Sequence, residues 1–163
     1  MLEIFNHKKT SKEAVEVLLT LYYQGKFPLI LKKEKEFTSL YPTSVEVLNI
    51  FGSANIALQK YQKAIVNFNK AVRINPYIPN IYYNLGLAYH HIGKLDNAIE
   101  NYQKALILKP DYDEAFCNMG MSLNKKGDLE GAIKNFYKAL EINPKHAGTY
   151  INLGNIYYEK MDF

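Results

Sequence analysis

The sequence predicts an all-α solenoid, a stack of about nine antiparallel helices, and three recurrences predict it. Pro42, Pro76, Pro110 and Pro144 follow one another at a constant interval of 34 residues. Gly52, Gly86, Gly120 and Gly154 keep the same interval of 34. Between these marks the apolar residues return at the spacing of one helical face, with none of the alternation of a strand. A fixed interval of this length means one supersecondary unit copied along the chain, each copy burying its apolar face against its neighbours. The expected organisation is a single domain over residues 1–163.

The elements follow in order. Residues 11–44 form a divergent first copy: Ser11 is the expected N-cap, and Val15, Leu18, Leu19 and Tyr22 make an apolar face. Gly25 falls on the turn, Pro28 opens a second helix and Pro42 ends the copy. Leu18, Ile30 and Glu34 occupy the places that later copies give to small and aromatic residues, which suits a terminal cap. Residues 45–78 are the first full copy, carried by Leu48, Phe51, Gly52, Ala64, Phe68, Ala71 and Pro76. Asn55 and Gln59 depart from the pattern there, since Tyr89 and Gly93 hold those places one interval later.

Residues 79–112 show the unit most plainly. Tyr82, Leu85, Gly86 and Tyr89 share one face, Gly93 punctuates, and Leu95, Ala98, Ile99, Tyr102, Ala105, Leu106 and Leu108 form a second face. Pro110 stops that helix, because the residue before a proline is pushed out of the α region. Residues 113–146 repeat it with Phe116, Met119, Gly120, Leu123, Ala132, Phe136, Ala139 and Pro144. Residues 147–163 open a further copy with Tyr150, Leu153, Gly154 and Tyr157, and Asp162 and Phe163 fall where its second helix begins. The expectation is a fragment of a longer protein. Its last helix carries a face of Tyr150, Leu153, Ile156, Tyr157 and Phe163 that favours self-association.

The recurring glycines carry a packing argument. A mid-helix glycine costs about 0.5–1 kcal/mol relative to alanine, so its regular return implies a close approach of two helices. Phe68, Tyr102 and Phe136 are the expected fillers of the space beside Gly52, Gly86 and Gly120.

These residues resemble the tetratricopeptide repeat, over three full copies and two partial ones. The resemblance implies a right-handed α-α superhelix whose concave side is lined by the first helix of each pair. It also implies a protein-protein interaction scaffold that takes a peptide or protein partner in that groove. Asn84, Asn118 and Asn152 recur at the repeat interval, each two residues before a repeat glycine. A primary amide offers both donor and acceptor, so such a row can grip an extended backbone whatever its side chains. The row is similar to the asparagine ladder in the repeat domain of O-linked N-acetylglucosamine transferases, although asparagine is also common at this place in the family. Asn49, Asn80, Tyr83, Leu87, Met121 and Asn155 complete the expected peptide-binding set. His90 and His91 stand at the groove edge, with Asn124 and Lys125 also turned from the packed face. The family's chaperone-tail clamp needs cations on neighbouring concave helices. The best register here offers Asn49, Ser53, Asn84, Glu114 and Asn118, so that clamp is not expected.

Composition narrows the remaining classes. The net charge of +4 is nearly all lysine, with Arg73 the single arginine and acids interspersed as in Lys32-Lys33-Glu34-Lys35-Glu36. Guanidinium forks are the preferred readers of phosphate and base edges, so no nucleic-acid partner is expected. No run approaches the ~20 apolar residues of a membrane span, and Glu3, His7, Lys8, Lys9, Lys12 and Glu13 interrupt any secretory signal. One cysteine, Cys117, leaves no intramolecular disulfide and favours a cytoplasmic setting. No cofactor, metal or enzymatic activity is expected, because no metal-ligand spacing, clustered glycine loop or nucleophile–base pair appears. The alternative is the non-catalytic, substrate-recruiting N-terminal part of a larger enzyme such as a glycosyltransferase or sulfotransferase.

Overall fold

The computed structural model describes residues 10–161, and every regular element among them is an α-helix. The chain forms two compact units, Met1–Ile74 and Asn75–Phe163. Asp162, Phe163 and the residues through Lys9 lie outside the described part, and with them Phe163's place in the expected apolar face.

In the first unit α1 spans Ser11–Tyr23, α2 Phe27–Lys32, α3 Glu34–Leu40, α4 Val45–Ala57 and α5 Tyr61–Ile74. Ala14, Leu18, Ile30, Phe37, Val47, Ile50, Phe51 and Ala54 form its core. The N-cap is Thr10, one residue before the expected Ser11: Glu13 N–H donates to Thr10 Oγ1, and Thr10 N–H donates to the Glu13 carboxylate. That reciprocal pair satisfies two otherwise unpaired donors of the first turn. The expected second helix of this copy is instead two short helices separated at Lys33, whose ψ of −4° takes the backbone out of a regular α path. The described residues therefore hold ten helices where the sequence predicted about nine. The cause lies in the substituted packing positions. Leu18, fully buried, stands where later copies have glycine, so no ring can seat there. Glu34 holds the ring's place and accepts a hydrogen bond from Asn67 Nδ2 at 2.7 Å.

In the second unit α6 spans Pro79–His91, α7 Leu95–Leu108, α8 Asp113–Lys126, α9 Leu129–Ile142 and α10 Ala147–Met161. Each helix packs on the next, and α6 also touches α8. The glycine argument holds in atomic terms. A Cβ on Gly86 would lie 2.5 Å from Tyr102 Cε1, and one on Gly120 2.7 Å from Phe136 Cε1. Gly52 faces Phe68 in the same way, more closely still. Gly154, the fourth of the series, has nothing within 4 Å of that point.

The turn column is equally regular. Gly25, Gly93 and Gly127 take φ of +67°, +77° and +92°, and Gln59, in the same register, takes +57°. The turn therefore imposes a left-handed residue even where the sequence supplies a side chain. A second asparagine row also keeps the interval: Asn67, Asn101 and Asn135, all buried on the second helices. Asn101 and Asn135 Nδ2 donate to the carbonyls of Asn97 and Gly131 at 2.8 Å, which makes them packing groups. Among the described residues no helix is long and apolar enough to cross a membrane.

Candidate functional site

The second unit brings the first helices of its repeats, α6, α8 and α10, to one cleft. Pro79 occupies the first turn of α6, where its missing N–H costs nothing, and the helix then presents Tyr83, Asn84 and Leu87, all half-buried. Tyr83 is held by aromatic packing, its ring centroid 4.9 Å from that of Tyr112 and 6.0 Å from that of Tyr102. Asn118 Nδ2 donates to Tyr83 Oη at 2.8 Å. One repeat later Asn152 Nδ2 points at Cys117 Sγ, 3.8 Å away. Cys117 stands in the place of Tyr83, so the two amides reach back in the same register. Each uses its nitrogen on the preceding first helix and keeps its carbonyl oxygen.

The remaining predicted residues are placed as follows. The Asn84 amide has no hydrogen-bond partner among the described residues. Asn80 and Asn155 are exposed on α6 and α10, and Met121 is exposed on α8. Asn49 belongs to the first unit, on α4, with its Oδ1 buried and unpartnered. The structure thus joins Tyr83 to Asn118 and brings Met121 and Asn152 to a common cleft. The lining of that cleft does not include Asn80, Tyr83, Asn84, Leu87, Asn118 or Asn155.

The cleft has a volume of about 320 Å³ and is lined by His90, Met121, Asn124, Lys125, Phe136 and Asn152. His90 Nδ1 lies 2.8 Å from Ser122 Oγ, and Ser122 Oγ donates to the Asn118 carbonyl at 2.9 Å. The serine hydroxyl has one proton, spent on that carbonyl, so the imidazole Nδ1–H donates to its lone pair. Burial, with the Lys125 and His91 charges, holds the His90 imidazole below its ordinary basicity. Burial raises the Tyr83 phenol, with Glu114 adding to it, and burial raises the Cys117 thiol. A thiol in such a place is a packing group.

Sequence reasoning did not find Ser122. Its signal was available: at the repeat interval it aligns with Ala54, Ala88 and Ile156, all buried, so among the copies after the divergent first one it is the single polar group in that column. Phe136, the fully buried ring against Gly120, underlies the cleft. No group of three or more His, Cys, Asp or Glu suited to a metal ion occurs among the described residues.

Comparison with known proteins agrees with this architecture. The tetratricopeptide repeat family model matches residues 79–112, and a second model, described as TPR repeat, matches residues 52–93 and 120–160. No curated protein matches the sequence. Among solved structures, the crystal structure of MamA is similar at 35% identity, over 84% of this chain and 82% of that one, with a TM-score of 0.75. The first TPR of Spaghetti (RPAP3), solved bound to an HSP90 peptide, is 26% identical over 72% of this chain and 93% of its own, with a TM-score of 0.69. YrrB, described as a TPR protein with an unusual peptide-binding site, is 22% identical over 96% of this chain and 80% of its own, at a TM-score of 0.79, and shares the fold. With family models covering more than half of the chain and the glycine, ring and turn columns all in register, the protein belongs to the tetratricopeptide repeat family.

Proposed function

We propose that the protein is an interaction scaffold and that the second unit holds an extended peptide or protein segment along α6, α8 and α10. The observation that carries this reading is the arrangement of Asn118 and Asn152. Each amide is anchored through its nitrogen, to Tyr83 Oη and toward Cys117 Sγ, which orients a free carbonyl oxygen as an acceptor for backbone N–H groups. An acceptor already fixed in place loses little side-chain freedom on binding. Tyr83, Leu87 and Met121 add apolar and aromatic surface beside the amides, as peptide grooves require. The peptide bound in the related RPAP3 structure supports the same class of partner.

The test is to replace Asn84, Asn118 and Asn152 together with alanine and to measure capture on an array of extended peptides alongside the melting temperature. Capture is expected to fall about tenfold or more. The fold is expected to lose only about 1–2 kcal/mol, the worth of a lost amide–phenol bond and little else. Undiminished capture by a folded triple variant would remove the ladder from the mechanism.

A second reading, self-association through α10, has its own observation. Of the expected face, Leu153 and Ile156 are buried, whereas Tyr150, Ile151, Tyr157 and Tyr158 are 54%, 63%, 43% and 70% exposed on that helix, around the open position at Gly154. An apolar patch of this sort on one helix suits an isologous contact with a second copy. Light scattering is expected to show a mass that rises with concentration, returned to the monomer by Ile151→Lys with Tyr158→Lys. A strictly monomeric wild-type chain throughout the series would end this reading.

A further inference from the structure

The register at which this family's clamp places its cations holds Glu114 and Asn118 here, yet basic groups do meet elsewhere in the second unit. They sit in the last turns of α6 and α8, where His90 and Lys125 border the cleft with Asn124 and Asn152. None of the described lining residues is acidic. Lys125 has no ion pair among the described residues, whereas its neighbour Lys126 is matched by Asp96 at 2.5 Å. The Asn124 side chain likewise has no hydrogen-bond partner there. A cleft with an unmatched ammonium, an unspent amide and the exposed apolar side chain of Met121 has the composition of an anion subsite.

We propose that this cleft binds the carboxylate of an Asp or Glu side chain of an extended peptide. Lys125 Nζ supplies the charge, His90 Nε2 a second donor, and the exposed Met121 takes an adjacent apolar side chain. The proposal rests on the groove reading above and names the side-chain chemistry that groove selects. The Ser122 hydrogen bond makes it more specific. With Nδ1–H donated to Ser122, a neutral His90 presents only a lone pair at Nε2, which repels a carboxylate. Binding therefore takes up a proton: His90 becomes imidazolium and donates Nε2–H to the bound oxygen. The titratable or charged groups acting on His90 are His91 on its own helix and Lys125 on α8, both opposing its protonation; α9 and α10 face the cleft with Phe136 and Asn152. A bound carboxylate offsets that repulsion.

The experiment uses short acetylated and amidated peptides with a central Leu-Glu-Leu or Leu-Gln-Leu, titrated into the full chain and followed by NMR of the imidazole and amide side chains. The glutamate peptide is expected to bind about tenfold tighter than the glutamine peptide near pH ~5.5, the preference shrinking toward pH ~7.5 as His90 loses its proton. The His90 imidazole is expected to titrate at higher pH in the complex than in the free protein. Lys125→Gln, an exposed change with little reach into the fold, is expected to remove most of the preference, and His90→Gln its pH dependence. Equal binding of both peptides, with shifts at Asn84, Asn118 and Asn152, overturns the carboxylate subsite and leaves the groove reading intact. No binding of either peptide overturns both. Tighter binding of the glutamine peptide with a free C-terminus than of the glutamate peptide overturns the side-chain source in favour of a terminal carboxylate.

Discussion

At the scale of single residues, two side chains work against the pattern that surrounds them. Gln59 holds φ +57° at a turn where Gly25, Gly93 and Gly127 take the same left-handed conformation freely. A side chain there costs about 1–2 kcal/mol, partly returned by the lower chain entropy it has relative to glycine. Gln59→Gly is therefore expected to stabilise the protein by about 0.5–1 kcal/mol, read as a higher midpoint in urea. Tyr102 is the second case. It is fully buried and its hydroxyl has no hydrogen-bond partner, while Phe68 and Phe136 fill the same register without one. Burial accordingly pushes its phenol far above the ordinary range. Tyr102→Phe removes an unpaired buried polar group, so the melting temperature is expected to hold or rise. A loss of more than about 1 kcal/mol would mean that the hydroxyl has a partner after all.

At the scale of elements, the interval of 34 residues is a statement about how closely two helices can lie. The first and second helix of a pair meet with a ring against a bare backbone, and the series of glycines provides its own control. Gly86→Ala puts a methyl group 2.5 Å from the Tyr102 ring, and overpacking of that kind costs about 1–3 kcal/mol. Gly154→Ala meets nothing within 4 Å, and it is expected to stabilise α10 by up to about 1 kcal/mol through helix propensity alone. Two chemically identical substitutions thus act with opposite sign, and thermal unfolding of both variants reads the difference. The first copy shows the same rule from the other side. With Leu18 in the glycine position the ring is absent, Glu34 takes its place, and the second helix breaks at Lys33. Sequence reasoning saw the three substitutions but not the break, because a helix signal says nothing about where its partner forces it to turn.

At the scale of the whole molecule, one pH dependence follows from the cleft. The folded state holds His90 below its ordinary value of 6.5, so the unfolded chain takes up this proton first as the pH falls. Stability from His90 is thus full above about pH 6.5, declines below it, and levels off once the folded imidazole also titrates. The difference in melting temperature between the wild type and His90→Gln, followed from about pH 7.5 to about pH 5, is expected to move in that sense. A flat difference would place His90 in a less enclosed setting.

Much of this architecture was legible from the chain alone: the helical pairs of the full copies, the glycine–ring contacts, the turn column and the position of the asparagine row. The reason is that a repeat prints each packing requirement several times, so residue type and interval together identify it. What only the tertiary structure decided is how the polar side chains spend their hydrogen bonds. Two asparagine rows share one interval, yet Asn101 and Asn135 are consumed by their own helices while Asn118 and Asn152 reach across to the preceding repeat. The hydrogen bond between Ser122 and His90, and the meeting of His90 and Lys125 in one cleft, likewise join residues that no interval relates. Periodicity records what every repeat needs, and the chemistry of this cleft lies in the few places where neighbouring repeats differ.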